Sequence, residues 1–324
     1  MKLKSGALSG ALSGVLGGAL CASMWVCLLA TAGHVAAQTV APTEPELRSS
    51  ASAASVLLEK YAALDKQLGK TAFGRPLVLE SFEDTGSVNG HAYAVLDAPL
   101  GTVSTIFKDP NRWCDVMILH INTKYCRATS ENSPSTLKVS VGKKTPQPLK
   151  DAFALEFVLR QIAASPRYLA VQLNAEKGPL GTNNYRIELQ AVPLPSGKTF
   201  MHLRYAYGYG VAGRLAMQAY LATAGSGKLG FTRINGDPKQ GYVGGTRGAI
   251  ERNTMRYYLA IEAYLACLDR LVVQQPDARL EYWFDATEQF PQQLRETDRS
   301  SYLTMKRDEY VRQQTPAKPA VPAG

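Results

Sequence analysis

Between residues 152 and 207 apolar and polar positions alternate. In A-F-A-L-E-F-V-L-R (152–160), Phe153, Leu155, Phe157 and Leu159 occupy every second place, the two-residue period of a strand with one buried face. Y-L-A-V-Q-L-N-A (168–175), Y-R-I-E-L-Q-A-V (185–192) and T-F-M-H-L-R-Y-A-Y (199–207) repeat the pattern, joined by the turn-rich G-P-L-G-T-N-N and P-L-P-S-G-K. Joins this short predict an antiparallel meander, because parallel strands need long crossovers. The period then changes. From Gly248 to Val273, Ile250, Thr254, Tyr257/Tyr258, Ile261, Tyr264/Leu265, Leu268 and Val272 recur in steps of three and four, which predicts one long helix with a buried face. A lone helix after a run of strands needs the sheet to cover that face.

The rest of the chain fits around this centre. Val56, Leu57, Tyr61, Leu64 and Leu68 predict an amphipathic helix ended by Gly69. A strand is expected from Val88, then a helix capped by Asp97 and ended by Pro110, a short helix or turn over W-C-D-V-M-I-L-H, and a short strand at 137–142. G-Y-G-V-A-G-R-L-A-M-Q-A-Y-L-A-T-A-G (208–225) predicts a further helix, and K-L-G-F-T-R-I-N (228–235) another strand. The expected organisation is a leader (1–37), a polar linker (38–50), an N-terminal helix with lead-in (51–87), the main domain (88–275), a helical extension (276–314) and a disordered Pro/Ala tail (315–324).

Lys2 and Lys4, the apolar stretch to Ala32 and V-A-A before Gln38 read as a signal peptide cleaved near Ala37/Gln38. The placement is therefore periplasmic or secreted. The alternative is an uncleaved membrane anchor packing through Gly6, Gly10, Gly14 and Gly18. The net charge of +9 becomes +7 once Lys2 and Lys4 leave, with no run of five or more basic residues. Such a surplus permits transient contact with an anionic membrane surface and does not favour nucleic acid as a partner. Of the three cysteines beyond the leader, Cys114 and Cys126 either close a short disulfide loop or remain as two buried thiols, and Cys267 lies inside the long helix.

Signals of chemistry are few. G-Y-G-V-A-G (208–213) imitates a dinucleotide fingerprint, but the strand before it alternates and no acid ends a second strand about 20 residues on. G-S-G-K lacks the flanking residues of a phosphate loop, and no G-x-S-x-G elbow occurs. His91, His120 and His202 are too scattered for a zinc pattern. No cofactor, metal site or catalytic residue is assigned.

D-A-P-L-G-T-V-S-T-I-F-K-D-P-N-R-W follows the first strand, with Pro99, Val103, Phe107, Asp109 and Trp113 in register with a helix motif of the START-like helix-grip superfamily. The span from about Val88 to Val273 resembles that superfamily. The resemblance implies an α+β helix-grip fold, a curved antiparallel sheet wrapped around a long C-terminal α-helix, with an apolar cavity between them. A bent sheet and one helix enclose more volume than small side chains fill, which leads to the same expectation. By alternation the cavity candidates are Phe157, Leu159, Val171, Leu173, Ile187, Leu189, Leu203 and Tyr205, with Met255, Tyr258 and Leu259 from the helix. Arg186, Glu188 and Arg204 fall on the opposite face.

The leading expectation is a binding or transfer protein for a lipid or other hydrophobic small molecule. A cyclase- or dehydratase-type enzyme on the same scaffold would need polar side chains converging in the cavity. A third reading uses Tyr282, Trp283, Phe284 and Phe290 as an exposed aromatic surface that docks an envelope partner.

Overall fold

The structure, a computed structural model, describes residues 44–129, 134–223, 225, 227–237 and 239–315. The leader and its cleavage site lie outside the described residues, as do residues 38–43 of the linker and residues 316–324. Eight strands form one antiparallel sheet: β1 (Leu77–Asp84), β2 (Ser87–Leu96), β3 (Thr123–Thr129), β4 (Thr136–Val141), β5 (Phe153–Ser165), β6 (Tyr168–Lys177), β7 (Thr182–Pro193) and β8 (Thr199–Tyr209). Their order is β1-β2-β8-β7-β6-β5-β4-β3. The pairing Leu137↔Phe157, Leu159↔Leu173, Leu173↔Ile187 and Ile187↔Tyr205 lines the alternating apolar residues into one continuous face. β2 returns to β8, with Ala92 opposite Leu203.

Two short helices, α2 (Leu100–Phe107) and α3 (Pro110–Met117), follow β2. The long helix α5 (Gly245–Ala266) lies across β1, β2 and β8 on the apolar face. The fold is α+β and helix-grip: a curved antiparallel sheet holding a long helix. The other face is covered at one end by α1 (Glu44–Gly69), whose Leu57, Leu64 and Leu68 pack on Val78, Tyr93, Val192 and Phe200. Farther along that face Arg204 meets Glu188 at 3.2 Å and Asn89 at 2.6 Å, while Arg186 is exposed.

Several local expectations are corrected. α1 begins at Glu44, inside the stretch read as linker. β1 and β3 form where no strand was expected. Pro99, not Asp97, precedes α2; Asp97 is exposed beside Lys198, and Asp109 caps α3 by accepting from the Asn111 N–H at 2.8 Å. Residues 228–235 form no strand, only an isolated bridge between Arg233 and Tyr242. The reason lies on α5: the Glu251 carboxylate accepts from the N–H groups of Phe231 and Thr232, which a sheet neighbour would otherwise take. α5 stops at Ala266 instead of running to Val273. Gln275 donates to the carbonyls of Leu268 and Arg270, so the turn beyond Cys267 is held open and Val272 is 82% exposed. Phe153, at the start of β5, is exposed although its alternation partners are buried.

Helix α4 (Val211–Ala222) crosses the end of β8, with Gly213 seated against the backbone of Gly181. Gly181 has φ of 78°, a left-handed conformation that glycine takes without strain. After α5 come α6 (Gln275–Glu288), α7 (Pro291–Leu294) and α8 (Arg299–Gln314). Trp283, Phe284 and Tyr302 are buried among them, with Trp283 stacked on Tyr302 at 5.1 Å. This removes two of the four aromatics from the surface proposed for docking; Tyr282 stays part-exposed and Phe290 packs on Phe73 and Phe231.

α8 is fixed by charge as well as packing. Lys306 donates to Glu309 at 2.6 Å and to the carbonyls of Thr123 and His120, while Lys124 meets the same carboxylate at 3.0 Å. Burial brings the Lys306 ammonium down to about 8, and Glu309 offsets part of that cost. A disulfide joins Cys114 on α3 to Cys126 on β3, and Cys267 is a buried free thiol.

Candidate functional site

The concave face presents every second residue of β5 to β8, because strand side chains alternate and this register aligns them. All eleven sequence-derived candidates are buried within one hydrophobic cluster. The structure does not aim them all one way. The Tyr258 hydroxyl donates to Glu262 Oε1 at 3.0 Å, and Glu262 pairs with Arg75, so Tyr258 turns toward the chain entering β1. The four surface clefts described lie elsewhere; the largest, about 510 Å³, sits between the β1–β2 turn and α4 beside Asp84, Tyr209 and Arg214.

A set of tyrosines gathers from β7, β8 and α5. Tyr205 lies 5.1 Å from Tyr257 between ring centroids, Tyr185 lies 5.3 Å from Tyr207, and Tyr205 and Tyr207 are 6.0 Å apart. His120 stands 5.0 Å from Tyr257 between ring centroids. Tyr185 donates to Thr182 Oγ1 at 2.9 Å. The phenol oxygens of Tyr205, Tyr207 and Tyr257 make no hydrogen bond among the described residues, and none of the three is sealed by neighbouring atoms. Burial raises all three phenols above their ordinary range, so they are neutral O–H donors.

Tyr257 has a mixed environment. It is only half-buried by surface, yet burial dominates its titration. His120 is buried and neutral, because burial and the nearby Arg256, Lys306 and Lys144 charges all push its imidazole well below the usual range. Its Nδ1 accepts from the Asn122 N–H at 3.2 Å, which puts the proton on Nε2. The Asn253 side chain is the polar neighbour of this imidazole and opposes part of that shift.

Tyr205 was among the candidates; Tyr185, Tyr207, Tyr257 and His120 were not. The alternation carries the signal for two of them, since Tyr207 follows Tyr205 by two and Tyr185 precedes Ile187 by two. Helical spacing alone did not separate Tyr257 from Tyr258, and nothing near His120 in sequence marks it. Among the described residues no three His, Cys, Asp or Glu side chains gather in a metal-binding arrangement, and no helix is long and apolar enough to cross a membrane.

No protein-family model matches the chain, and no curated protein matches it. Solved structures give faint likenesses. Norcoclaurine synthase from Thalictrum flavum is 14% identical with a TM-score of 0.30, over 46% of this chain and 80% of that one. A conserved protein from Geobacillus kaustophilus is 12% identical at 0.33, over 55% and 95%. The Zhui aromatase/cyclase from Streptomyces sp. R1128 is 12% identical at 0.29, over 64% and 94%. At these scores the likenesses carry no argument about this chain, and the fold rests on its own topology.

Proposed function

We propose that this chain is a START-like binding protein that holds a lipid or other hydrophobic small molecule between the concave face of the sheet and α5. The supporting observation is the continuous apolar face that β5 to β8 present on the side of α5, with Tyr185, Tyr205, Tyr207 and Tyr257 gathered beside it. An apolar guest there gains roughly 25 cal/mol per Å² of surface withdrawn from water. Phe157, Leu159, Val171, Leu173, Ile187, Leu189, Leu203, Tyr205, Met255 and Leu259 form the apolar wall, and Tyr258 supports it from behind. The protein works in the periplasm or outside the cell after loss of its leader, a placement that the Cys114–Cys126 disulfide favours.

Native mass spectrometry of the purified full chain, before and after organic extraction, tests this. A bound lipophilic mass that is lost on extraction and regained on incubation is expected. A chain that stays empty with every lipophile offered overturns the reading.

A second reading, a cyclase- or dehydratase-type enzyme, draws on the same phenols and His120, because acid–base work needs polar groups converging in an apolar site. Turnover of the bound molecule, lost in Tyr257→Phe, separates it from a carrier.

A further inference from the structure

The sheet brings together two histidines that stand 111 residues apart in sequence. His91 on β2 pairs across from Arg204, and His202 on β8 across from Tyr93, so the two imidazoles are diagonal neighbours on the face that carries α1. Nδ1 of His91 lies 2.9 Å from Nε2 of His202, the ring planes differ by 9°, and the centroids are 5.1 Å apart. The nitrogen gap and one ring radius at each end account for that separation. The rings therefore lie in one plane and meet tip to tip, with the two nitrogens aimed at each other. Tyr93 stacks on His202 at 4.4 Å and Phe82 stands edge-on to His91 at 5.6 Å, which restricts how either ring can turn.

Both imidazoles are half-buried. Burial, helped by the Arg204 and Lys60 charges, holds both below the ordinary imidazole value, His202 at about 3. At neutral pH they are uncharged, and protons do not compete for their lone pairs. The nearby charges are already matched, Lys60 with Glu80 at 3.0 Å and Arg204 with Glu188 at 3.2 Å. Among the described residues no third His, Cys, Asp or Glu completes a metal-binding group around them. A tetrahedral ion such as zinc, which needs four convergent donors, is therefore poorly served. Two nitrogens facing along one line suit a soft monovalent ion that takes two ligands.

We propose that His91 and His202 form a two-coordinate site for a monovalent ion of the copper(I) and silver(I) class. With nitrogen–metal distances of about 2 Å, the gap opens by about 1 Å, which small side-chain rotations supply. The proton now shared between the rings moves through solvent to the outer nitrogen of the ring that carries it. Both imidazoles stay neutral, and no proton is lost overall. A single added charge beside two matched ion pairs also costs less than a double one.

Titration of the full chain with silver nitrate in chloride-free buffer, read by native mass spectrometry and by the imidazole ¹⁵N resonances, tests this. One silver ion per chain is expected, shifting the ring nitrogens of both His91 and His202, while zinc sulfate at the same concentration leaves them unmoved. His91→Phe and His202→Gln should each weaken silver binding at least ten-fold with the circular dichroism unchanged. Cys267→Ser, which removes the free thiol, should bind silver as the parent does. A parent whose imidazole resonances ignore silver, a histidine variant that keeps full affinity, or equal binding of zinc overturns the site.

Discussion

Gly90 on β2 lies directly under Thr254 of α5, so close that a Cβ at position 90 would come within 2.2 Å of Thr254 Oγ1 and 3.2 Å of Ile250 Cγ1. Thr254 is fully buried and its hydroxyl is tied to the Ile250 carbonyl at 2.9 Å, so it cannot easily move aside. The missing side chain at residue 90 sets how near the helix comes to the sheet.

Gly90→Ala should therefore cost about 1–3 kcal/mol through overpacking. Adding Thr254→Ala should recover most of the loss. Urea unfolding of the two variants and the parent measures both. An unchanged midpoint for Gly90→Ala would mean that α5 is not seated where it is described.

The Glu296 cluster gives a pH dependence. Burial works against its ionisation, but Arg256, Lys144 and Lys228 outweigh that and hold the carboxyl at about 2, against 4.5 for an ordinary glutamate. Because the folded value is depressed, the stabilisation is complete above 4.5 and disappears as pH falls through that value toward about 2. Thermal melting from pH 6 to pH 2.5 should show this loss, and Glu296→Gln should be less stable at pH 6 and flatter below it.

Glu309→Gln should be far more damaging than a surface change. It leaves Lys124 and Lys306 buried without a counter-charge, a loss of about 3–5 kcal/mol for a broken buried pair. Adding Lys306→Met should restore part of that, since only Lys124 then lacks a counter-charge. Chemical denaturation of the single and double variants decides this.

Replacing Cys114 and Cys126 by serine frees a loop with a sequence separation of 12. Closing such a loop contributes about 3 kcal/mol by chain entropy. The double variant should lose about that much, as read by guanidinium unfolding, and the parent should lose a similar amount when unfolded in the presence of reductant.

The sequence carried the meander and the long helix because each buries one face and so shows a clean period. What it carried less well was decided by contacts from elsewhere in the chain. Residues 228–235 have a strand's composition, but Glu251 takes their N–H groups. Leu268 and Val272 continue the helical spacing of α5, yet no local residue says that Gln275 will hold the carbonyls beyond Cys267. β1 begins as an apolar run and ends in charges, because it is an edge strand with little of its outer half covered. At the candidate site, Tyr205 and the aliphatic wall were legible from alternation. His120 was not, since only the return of α8 and the packing of α5 bring charge and aromatic rings around it.

The pairing of β2 with β8 bears on how the molecule assembles. Ser87 faces Gly208 and Leu96 faces Thr199, whereas every other strand pairs with its immediate successor in sequence or predecessor. A ribosome delivers the first hairpin more than a hundred residues before the strand that completes it. Contacts so distant along the chain are slow to form. Until β8 arrives, the open flank of β2 is where nascent chains are most exposed to joining one another.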